Sequence, residues 1–396
     1  PPAAADAAAP PPRRRQRPRP PGTPGGPAAF YRMQKSMGLA GQHFFVILIV
    51  AGQQIRRIQA IGALAYTMVA VDALVDTGHF LLPFLGEIGG SRAAADQNAT
   101  KIYIASRHPE TDPPSGSKIQ DAGILSTVSY DNRHEIAASI DVIVNTTPVG
   151  TFPNNMQQVI RLKDFPGCQA VIDVIYNPFK TALLLEAEKL GLKYTNGLPM
   201  LVAQATAAAG YFLGTPGAFQ KENQRIIKAM KQQMGNIVLI GMPGTGKSII
   251  GKLLAELTGK TLQDTDAKIE EEAKMTIPEI FEKEGEAGFR DRESAICKKL
   301  GKERNLIIAT GGGAILRPEN VAALRQNGTL VHITRSIDKL PTRGRPLSKN
   351  IEALKEMEAQ RMPLYKSAAD ITFRNNYTCS RKKLRERVNT YILEKL

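Results

Sequence analysis

Hydrophobic residues follow two different spacings along the chain, and each spacing predicts a different kind of element. Short apolar runs between polar or glycine residues predict buried strands, at residues 44–51, 101–105, 141–145, 170–176 and 192–196. Apolar residues at helical spacing predict helices at residues 181–190, 203–213 and 219–234. Because strands that alternate with helices usually pair in parallel, we predict an α/β layer in this part of the chain.

The same alternation continues to the end of the chain. Apolar runs predict strands at residues 237–240, 260–263, 305–309 and 329–334, with helices between them. We therefore predict a second α/β domain with a parallel sheet and place the boundary within residues 215–235. The expected organisation is listed here in chain order: a Pro/Ala/Arg-rich tail at 1–29 that does not fold, an ill-defined segment at 30–85, a Rossmann-like domain at 86–215, a helix or linker at 216–234, and a second domain at 235–396.

Composition limits the classes of protein that fit. The length of 396 residues suits about two or three domains of ordinary size. The net charge of +15 favours negatively charged ligands, but part of it comes from the arginine cluster at residues 13–19. We interpret that cluster as a solvated tail, so nucleic acid is not expected as a partner.

Cysteine usage and the longest apolar run bear on location. The cysteines Cys168, Cys297 and Cys379 lie far apart without C-x-x-C spacing, which indicates neither a disulfide framework nor a zinc site and favours a cytoplasmic protein. The apolar run at residues 44–51 is too short to span a bilayer, so no membrane association is expected.

Residues 241–248 read GMPGTGKS, which is the phosphate-binding pattern G-x-x-x-x-G-K-S/T. A predicted strand precedes this loop and a predicted helix follows it, as the pattern requires. The glycines allow backbone N–H groups to point at phosphate oxygens, and the start of the helix adds a positive pole. Lys247 would reach the outer phosphates and Ser248 would complete a Mg²⁺ shell. We therefore predict that the chain binds a nucleoside triphosphate through Gly241, Met242, Pro243, Gly244, Thr245, Gly246, Lys247 and Ser248.

Two aspartates, Asp264 and Asp266, follow the second predicted strand of this domain. A spacing of two residues places both carboxylates on the same side of an extended chain. One carboxylate would hold the Mg²⁺ shell, and the other would accept hydrogen bonds from a substrate hydroxyl. A helix N-cap is the alternative function, and both functions are compatible if Asp266 caps the helix while Asp264 serves the metal.

A predicted helix then carries Arg290, with Glu293 three residues further on the same face. The guanidinium group suits a carboxylate substrate and Glu293 could orient it, although a surface ion pair is the alternative. The next predicted strand ends in Gly311, Gly312 and Gly313, which let the backbone approach a ligand closely.

Two arginines complete the set. Arg345 lies in the Gly/Pro/Arg-rich segment 340–350, which is typical of a mobile lid, and would neutralise charge in the transition state of phosphoryl transfer. Arg361 lies on a later predicted helix that points back toward the substrate.

Residues 236–396 resemble shikimate kinase, because the motifs DTD, GEAGFR, TGGGA, GRPL and RMPLY occur in the order found in that family. The resemblance implies a nucleoside monophosphate kinase-like fold and transfer of the γ-phosphate of ATP to the 3-hydroxyl group of shikimate, with Mg²⁺ as cofactor. It implies that Lys247, Asp266 and Arg345 act in catalysis, with Asp266 as the candidate base, that Arg345 also contacts ATP, and that Ser248 and Asp264 hold the metal. It assigns shikimate binding to Asp266, Arg290, Gly311, Gly312, Gly313 and Arg361. An adenylate-type or gluconate kinase is the next assignment for this fold.

Residues 86–215 resemble the carboxyl-terminal domain of shikimate dehydrogenase, an NADP-dependent Rossmann domain, through NTTPVG at 145–150, DVIYNP at 173–178 and NGLPMLVAQ at 196–204. The resemblance implies cofactor binding by Gly86, Gly89, Gly90, Arg107, Asn145, Thr146 and Gly197. It implies substrate binding by Tyr176 and Gln204. An arginine at the end of the second Rossmann strand, in place of an acid, suits the 2′-phosphate of NADP. The two enzymes catalyse consecutive steps of chorismate biosynthesis.

The resemblance to the dehydrogenase weakens upstream. The glycines in LGEIGG at 85–90 are spaced one residue wider than the G-x-G-G of the family, and no V-T-x-P-x-K motif with the catalytic lysine occurs before residue 100. Asp76, in VDTGHF, is the candidate remnant of the partner aspartate. We expect a kinase fused to an incomplete dehydrogenase. The alternatives are a fully bifunctional enzyme, or a kinase with a non-catalytic NADP-binding, shikimate-binding or dimerisation module; the oligomeric state is not predicted.

Overall fold

The computed structural model describes residues 46–50, 100–106, 125–340, 351–376 and 380–396. The chain divides into two compact units, Pro1–Gln42 and His43–Leu396, and every described residue lies in the second unit. Within it, we call residues 43–234 the first half and residues 235–396 the second half. The predictions for the following positions lie outside the described residues: the tail at 1–29, Asp76, Gly86, Gly89, Gly90, Arg107 and Arg345.

The first half contains a six-stranded sheet with the strand order β3-β2-β1-β4-β5-β6. The strands are β1 (Val46–Val50), β2 (Lys101–Ser106), β3 (Leu125–Ser129), β4 (Val142–Asn145), β5 (Ala170–Asp173) and β6 (Lys193–Thr195). The helices are α1 (Ala182–Lys189), α2 (Leu198–Phe212) and α3 (Asn223–Met234). This strand order is that of a doubly wound α/β sheet, which confirms the predicted Rossmann-type α/β fold.

The pattern of apolar residues predicted the strand at 44–51 but not its direction. β1 pairs antiparallel with both β2 and β4, whereas the other neighbouring strands of this sheet pair in parallel. The predicted strand is present, and the parallel pairing predicted from residue 101 onward is found among β2 to β6 wherever two of these strands are neighbours. A short apolar run indicates burial and carries no information about the direction of the strand.

Buried aliphatic residues hold the helices of this half against the sheet and against each other. Leu184 on α1 is fully buried in a cluster with Ile143 and Val171 of the sheet, and burial of each such side chain contributes about 1.5–3 kcal/mol. α2 and α3 pack through a smaller cluster that contains Leu198 and Ile227. α2 begins at Leu198 rather than at residue 203, because its early proline suits the first helical turn.

The second half contains a five-stranded sheet with the strand order β11-β10-β7-β9-β8, in which all neighbouring strands pair in parallel. The strands are β7 (Asn236–Ile240), β8 (Thr261–Asp264), β9 (Leu306–Ala309), β10 (Gly328–Thr334) and β11 (Ile371–Arg374). The helices are α4 (Lys247–Thr258), α5 (Thr265–Ala273), α6 (Ile277–Lys302), α7 (Pro318–Arg325), α8 (Ile351–Ala368) and α9 (Arg381–Tyr391). The parallel α/β prediction for this half is confirmed.

The order of this sheet reverses at β7, and the phosphate-loop motif follows directly at the carboxyl end of that strand. Ligands of open parallel sheets bind beyond the carboxyl ends of the strands at such a reversal. Apolar clusters on both faces of the sheet hold this edge in place. Among the described helices, none is both long enough and apolar enough to cross a lipid bilayer.

Candidate functional site

The phosphate loop has the backbone conformation that its glycines predict. Gly241, Gly244 and Gly246 have φ angles of 144°, 85° and 94°, a region that side chains disfavour. α4 begins at Lys247, whose Nζ donates to the carbonyl oxygens of Gly241 at 2.8 Å and Met242 at 3.0 Å. The ammonium group therefore lies inside the curve of the loop, next to the positive end of a helix, where phosphate oxygens would bind.

Asp264 and Ser248 form the candidate metal-binding pair. Ser248 Oγ donates to Asp264 Oδ2 at 3.1 Å, which brings the first residues of α4 and the end of β8 together. Asp264 Oδ1 accepts from the backbone N–H of Asp266 at 3.1 Å, so Asp264 is the N-cap of α5. Of the two aspartates, Asp264 and not Asp266 caps the helix, because α5 begins at Thr265 and Asp266 already lies in its first turn.

Asp266 therefore projects from a helix rather than from an extended chain, which also corrects the expected geometry of the pair. The side chain is half-buried, and its Oδ1 is buried with no hydrogen-bond partner among the described residues. Burial, together with the nearby charges of Asp264 and Glu293, raises the pKa of Asp266 to about 6. Such a carboxylate is ionised at neutral pH and more basic than an exposed aspartate.

Arg290 lies on α6, beyond the point at which this helix kinks at Gly285. Its Nη1 donates to Glu293 Oε2 at 2.8 Å, and the predicted contact between the two residues is present. Glu293 is fully buried and burial raises its pKa, while its second oxygen, Oε1, has no partner among the described residues. One oxygen of the Glu293 carboxylate thus holds the guanidinium group of Arg290, and the other oxygen can still accept a hydrogen bond.

The glycines 311–313 pass between these charged groups. A Cβ atom at Gly311 would lie 2.6 Å from Asp266 Oδ1 and 2.9 Å from Glu293 Oε1, and one at Gly313 would collide with the guanidinium of Arg290. The segment is anchored where Gly311 N donates to Thr265 Oγ1 at 2.9 Å. Any side chain here would fill the space between the carboxylates and the arginine, so glycine is required for close approach of the backbone.

α8 contributes two side chains that the same segment holds. Arg361 Nη1 and the hydroxyl of Tyr365 both donate to the carbonyl oxygen of Gly312, at 3.0 Å and 2.6 Å. Nε of Arg361 is buried without a partner among the described residues. The structure therefore brings Asp266, Arg290, the three glycines and Arg361 together beside the phosphate loop.

Residues for which no role was predicted also shape the site. Tyr365 is the last residue of the RMPLY motif, and its ring stacks on His332 of β10 at 4.8 Å between centroids. Asn375 Nδ2 donates to the carbonyl oxygen of Thr245 at 2.8 Å and so braces the phosphate loop from the end of β11. The RMPLY motif could have indicated Tyr365, which is its last residue. No local pattern indicates Asn375, because its contact with Thr245 spans 130 residues of sequence.

In the first half, the motif residues lie at and beyond the carboxyl ends of β4, β5 and β6. Asn145 Nδ2 donates to Asp173 Oδ1 at 3.1 Å, and Asn145 Oδ1 accepts from Thr147 Oγ1 at 2.8 Å. Burial raises the pKa of Asp173 to about 7, although the hydroxyl of Thr181, which donates at 2.6 Å, opposes this rise. Asn145 thus belongs to an internal hydrogen-bond network as well as to the predicted cofactor edge.

The other predicted site residues of the first half differ in how they are buried and in what they pack against. Tyr176 packs against the apolar cluster between α2 and α3, and Gln204 is half-buried on α2. Gly197 precedes α2, where a Cβ atom would collide with the carbonyl oxygen of Val174, so close packing alone requires this glycine. Thr146 follows Asn145 directly and is half-buried.

Comparisons with known proteins identify the second half. The family profile for shikimate kinase matches residues 243–396. The shikimate kinase of Nitrosomonas europaea is 49% identical over 145 residues, which cover 35% of this chain and 69% of that protein. The structure of shikimate kinase from Acinetobacter baumannii in complex with shikimate is similar at 36% identity and a TM-score of 0.39, covering 43% of this chain and 98% of that one.

The solved structures that are similar to this chain also include shikimate dehydrogenase 1 from Peptoclostridium difficile, at 27% identity and a TM-score of 0.31, covering 36% of this chain and 51% of that one. The match to the kinase relatives falls on the half that carries the phosphate loop, the Asp266 carboxylate and the two site arginines. Through its second half, the chain belongs to the shikimate kinase family of ATP-dependent phosphotransferases.

Proposed function

We propose that the chain transfers the γ-phosphoryl group of ATP to the 3-hydroxyl group of shikimate. One observation supports this most directly: Asp266, Arg290 and Arg361 converge on residues 311–313 at the same sheet edge as the phosphate loop. The site therefore combines a nucleotide-binding loop with a cluster of polar side chains that supplies a carboxylate and two guanidinium groups. A compact polyol with a carboxylate group matches that combination of charges.

The environments of the described side chains in this cluster favour particular roles. Asp266 accepts a hydrogen bond from the attacking hydroxyl and takes its proton as the bond to phosphorus forms. Arg290, which Glu293 fixes in place, and Arg361 bind the substrate carboxylate. Lys247 binds the outer phosphates. For Arg345, which lies outside the described residues, the sequence alone supports a role in neutralising the charge that develops during transfer. The chemistry needs positioning and charge neutralisation, and both can be supplied by these groups.

Ser248 and Asp264 are the residues that would hold Mg²⁺. A hydroxyl and a carboxylate 3.1 Å apart, at the mouth of the phosphate loop, supply the oxygen ligands that this ion prefers. When bound, Mg²⁺ neutralises charge on the phosphate oxygens.

Shikimate-dependent release of ADP by the full chain tests the proposal. With ATP and Mg²⁺ present, we expect release to rise on addition of shikimate and to be abolished by Lys247→Ala. Lys252→Ala is the matched control, because Lys252 is an exposed lysine on the same helix. ADP release that does not depend on shikimate would contradict the proposed acceptor.

For the first half we propose a shikimate dehydrogenase-like domain that binds NADP and lacks dehydrogenase turnover. The Rossmann strand order and the polar residues Asn145 and Asp173 at the carboxyl edge support a nucleotide-binding domain. No V-T-x-P-x-K motif, whose lysine assists proton transfer from the substrate hydroxyl in that family, occurs before residue 100, and this supports the proposed lack of turnover.

Two measurements on the full chain test this second proposal. Calorimetry with NADP⁺ should show binding, while NADP⁺ reduction with shikimate should be absent even at high enzyme concentration. Reduction of NADP⁺ would instead support a bifunctional enzyme, and absence of binding would contradict the nucleotide-binding assignment.

A further inference from the structure

The two halves are joined without a free linker. α3 ends at Met234, and β7 begins at Asn236, so Gly235 is the single residue between a helix that packs on the first half and the central strand of the second. A connection of this length leaves little room for independent motion, and its surroundings determine whether the halves are rigidly coupled.

Lys260, at the start of β8, anchors the end of α3. Its Nζ donates to the carbonyl oxygens of Gln233 at 2.9 Å and Gly235 at 2.8 Å, and to Asn305 Oδ1 at 3.1 Å. The last carbonyl groups of a helix lack intrahelical partners and carry the negative end of its dipole. A buried lysine there donates hydrogen bonds to these carbonyl groups and offsets their negative charge. Asn305 N also donates to the carbonyl oxygen of Met234 at 2.9 Å. The second half thus caps a helix of the first.

A second group of contacts surrounds the turn before β10. The backbone N–H of Lys180 donates to the carbonyl oxygen of Gln326 at 2.8 Å, and that of Phe179 donates to Asn327 Oδ1 at 3.1 Å. Asn155 Nδ2 donates to Gln326 Oε1 at 2.7 Å. Gln326 and Asn327 are only 1% and 4% exposed, so both residues are buried at the contact between the halves.

Two cationic side chains of the second half extend the contact. Lys302 Nζ, at the end of α6, donates to the carbonyl oxygen of Pro153 at 3.0 Å. Arg325 Nη1 lies 3.3 Å from Glu188 Oε2 on α1. We call the contributing residues of the second half the junction surface: Lys260, Lys302, Asn305, Arg325, Gln326 and Asn327.

The position of the junction surface relative to the phosphoryl-transfer site is fixed by the parallel sheet. Asn236 and Gly328 begin paired strands beside the junction, whereas the phosphate loop follows the other end of β7. A strand of five residues spans roughly 15 Å, so the junction surface and the phosphoryl-transfer site lie at opposite ends of the strands. In the first half, by contrast, the contact residues 153–155 and 179–180 follow the carboxyl ends of β4 and β5.

We propose that the junction surface is a permanent docking site for the first half, and that the two halves fold and unfold as one cooperative unit with the phosphoryl-transfer site facing away from the contact. The first half then serves as a fixed structural part of the kinase, whatever its own chemistry. The inference rests on contacts alone and does not depend on the proposed substrate.

The chain has no tryptophan, so a single introduced tryptophan reports on one half. Tyr103→Trp places the reporter against the core of the first half, and Phe281→Trp places it against the core of the second. The full chain with one introduced tryptophan is unfolded in urea, with and without the substitution Leu184→Ala. This substitution removes a fully buried side chain from the first half alone.

We expect Leu184→Ala to lower the urea midpoint of both reporters by the same amount. A shift confined to the Tyr103→Trp reporter would overturn the proposal, since the second half would then unfold independently.

A matched pair of lysines on α6 tests the contact itself. Lys302→Met removes the hydrogen bond to Pro153, whereas Lys299→Met removes a surface ion pair with Glu272 inside the second half. We expect Lys302→Met to lower the common midpoint more than Lys299→Met, and to separate the two reporters when combined with Asn155→Ala. Equal, small effects of the two lysine variants would show that the junction contributes no coupling.

Discussion

Asp266 has a half-buried position and two neighbouring carboxylates, and this environment determines the pH at which it can accept a proton. Its pKa is raised to about 6, so the ionised form is lost as pH falls through this value. We expect kcat/KM for shikimate to fall about tenfold per pH unit below pH 6 and to stay level from 7 to 8. A pH–rate profile of the full chain checks this. A profile that is level down to pH 5 would contradict the assignment of Asp266 as the base.

Tyr365 holds the glycine segment through its hydroxyl group, which donates a hydrogen bond to the carbonyl oxygen of Gly312. Tyr365→Phe removes the 2.6 Å hydrogen bond to the Gly312 carbonyl and preserves the stacking on His332. Because a lost neutral hydrogen bond costs about 1 kcal/mol, we expect the KM for shikimate to rise roughly threefold to tenfold, with the KM for ATP unchanged. Tyr391→Phe, at a half-exposed position on α9, is the control. Equal changes in both KM values would indicate a general loss of structure.

Asp173 in the first half predicts a pH-dependent stability. Its folded pKa of about 7 exceeds its ordinary value of 3.8, so the folded chain binds the proton more tightly and loses stability as pH rises from about 4 to about 7. At pH 8 we expect Asp173→Asn to be more stable than the natural chain by a few kcal/mol, and the advantage to shrink toward pH 4. Urea unfolding across this range measures the difference. An effect that is independent of pH would rule out a raised pKa.

At the scale of elements, the fit between α6 and α7 depends on one glycine. A Cβ atom at Gly301 would collide with the carbonyl oxygen of Ala323, whereas one at Gly251 on α4 would meet the flexible end of Leu262 at 2.8 Å. We expect Gly301→Ala to lower the free energy of unfolding by about 1–3 kcal/mol, because backbone cannot move aside as a side chain can. Gly251→Ala should change it by less than about 1 kcal/mol, since the gain in helix propensity offsets the contact. Equal losses in the two variants would contradict this explanation.

Most elements were predictable because their hydrophobic pattern is local. The strands at 237–240 and 305–309 and the helix at 181–190 lie where apolar spacing places them. The direction of β1 was not predictable, since pairing depends on partners far along the chain. The position of the helix cap at Asp264 was not predictable either, because a shift of one residue decides whether a side chain caps a helix or belongs to its first turn.

The residues of the candidate site also divide into those that a local sequence pattern predicts and those that depend on distant parts of the chain. Lys247, Ser248 and the glycines 311–313 are recognisable because a backbone loop requires them at fixed spacing. The contact of Asn375 with the phosphate loop, and that of Tyr365 with Gly312, arise from the folding of distant helices and strands onto one sheet edge. No local pattern encodes such a contact.

At the scale of the whole molecule, a single residue separates α3 from β7, so the chain cannot be treated as two tethered enzymes. The expected boundary within 215–235 falls on a helix that packs on the first half and is capped by Lys260 of the second. The resemblance to shikimate kinase begins here, whereas the contacts join the two halves. The proposed phosphoryl-transfer site lies at the carboxyl ends of the strands, away from this joint, and its described residues belong to the second half.

The most direct test of the proposed kinase activity is ³¹P NMR of the full chain incubated with ATP, Mg²⁺ and shikimate. We expect the γ-phosphate signal of ATP to be replaced by that of a phosphate monoester on the 3-hydroxyl of shikimate, in equal amount to the ADP formed. Conversion of ATP to ADP and inorganic phosphate alone, or no conversion at all, would contradict it.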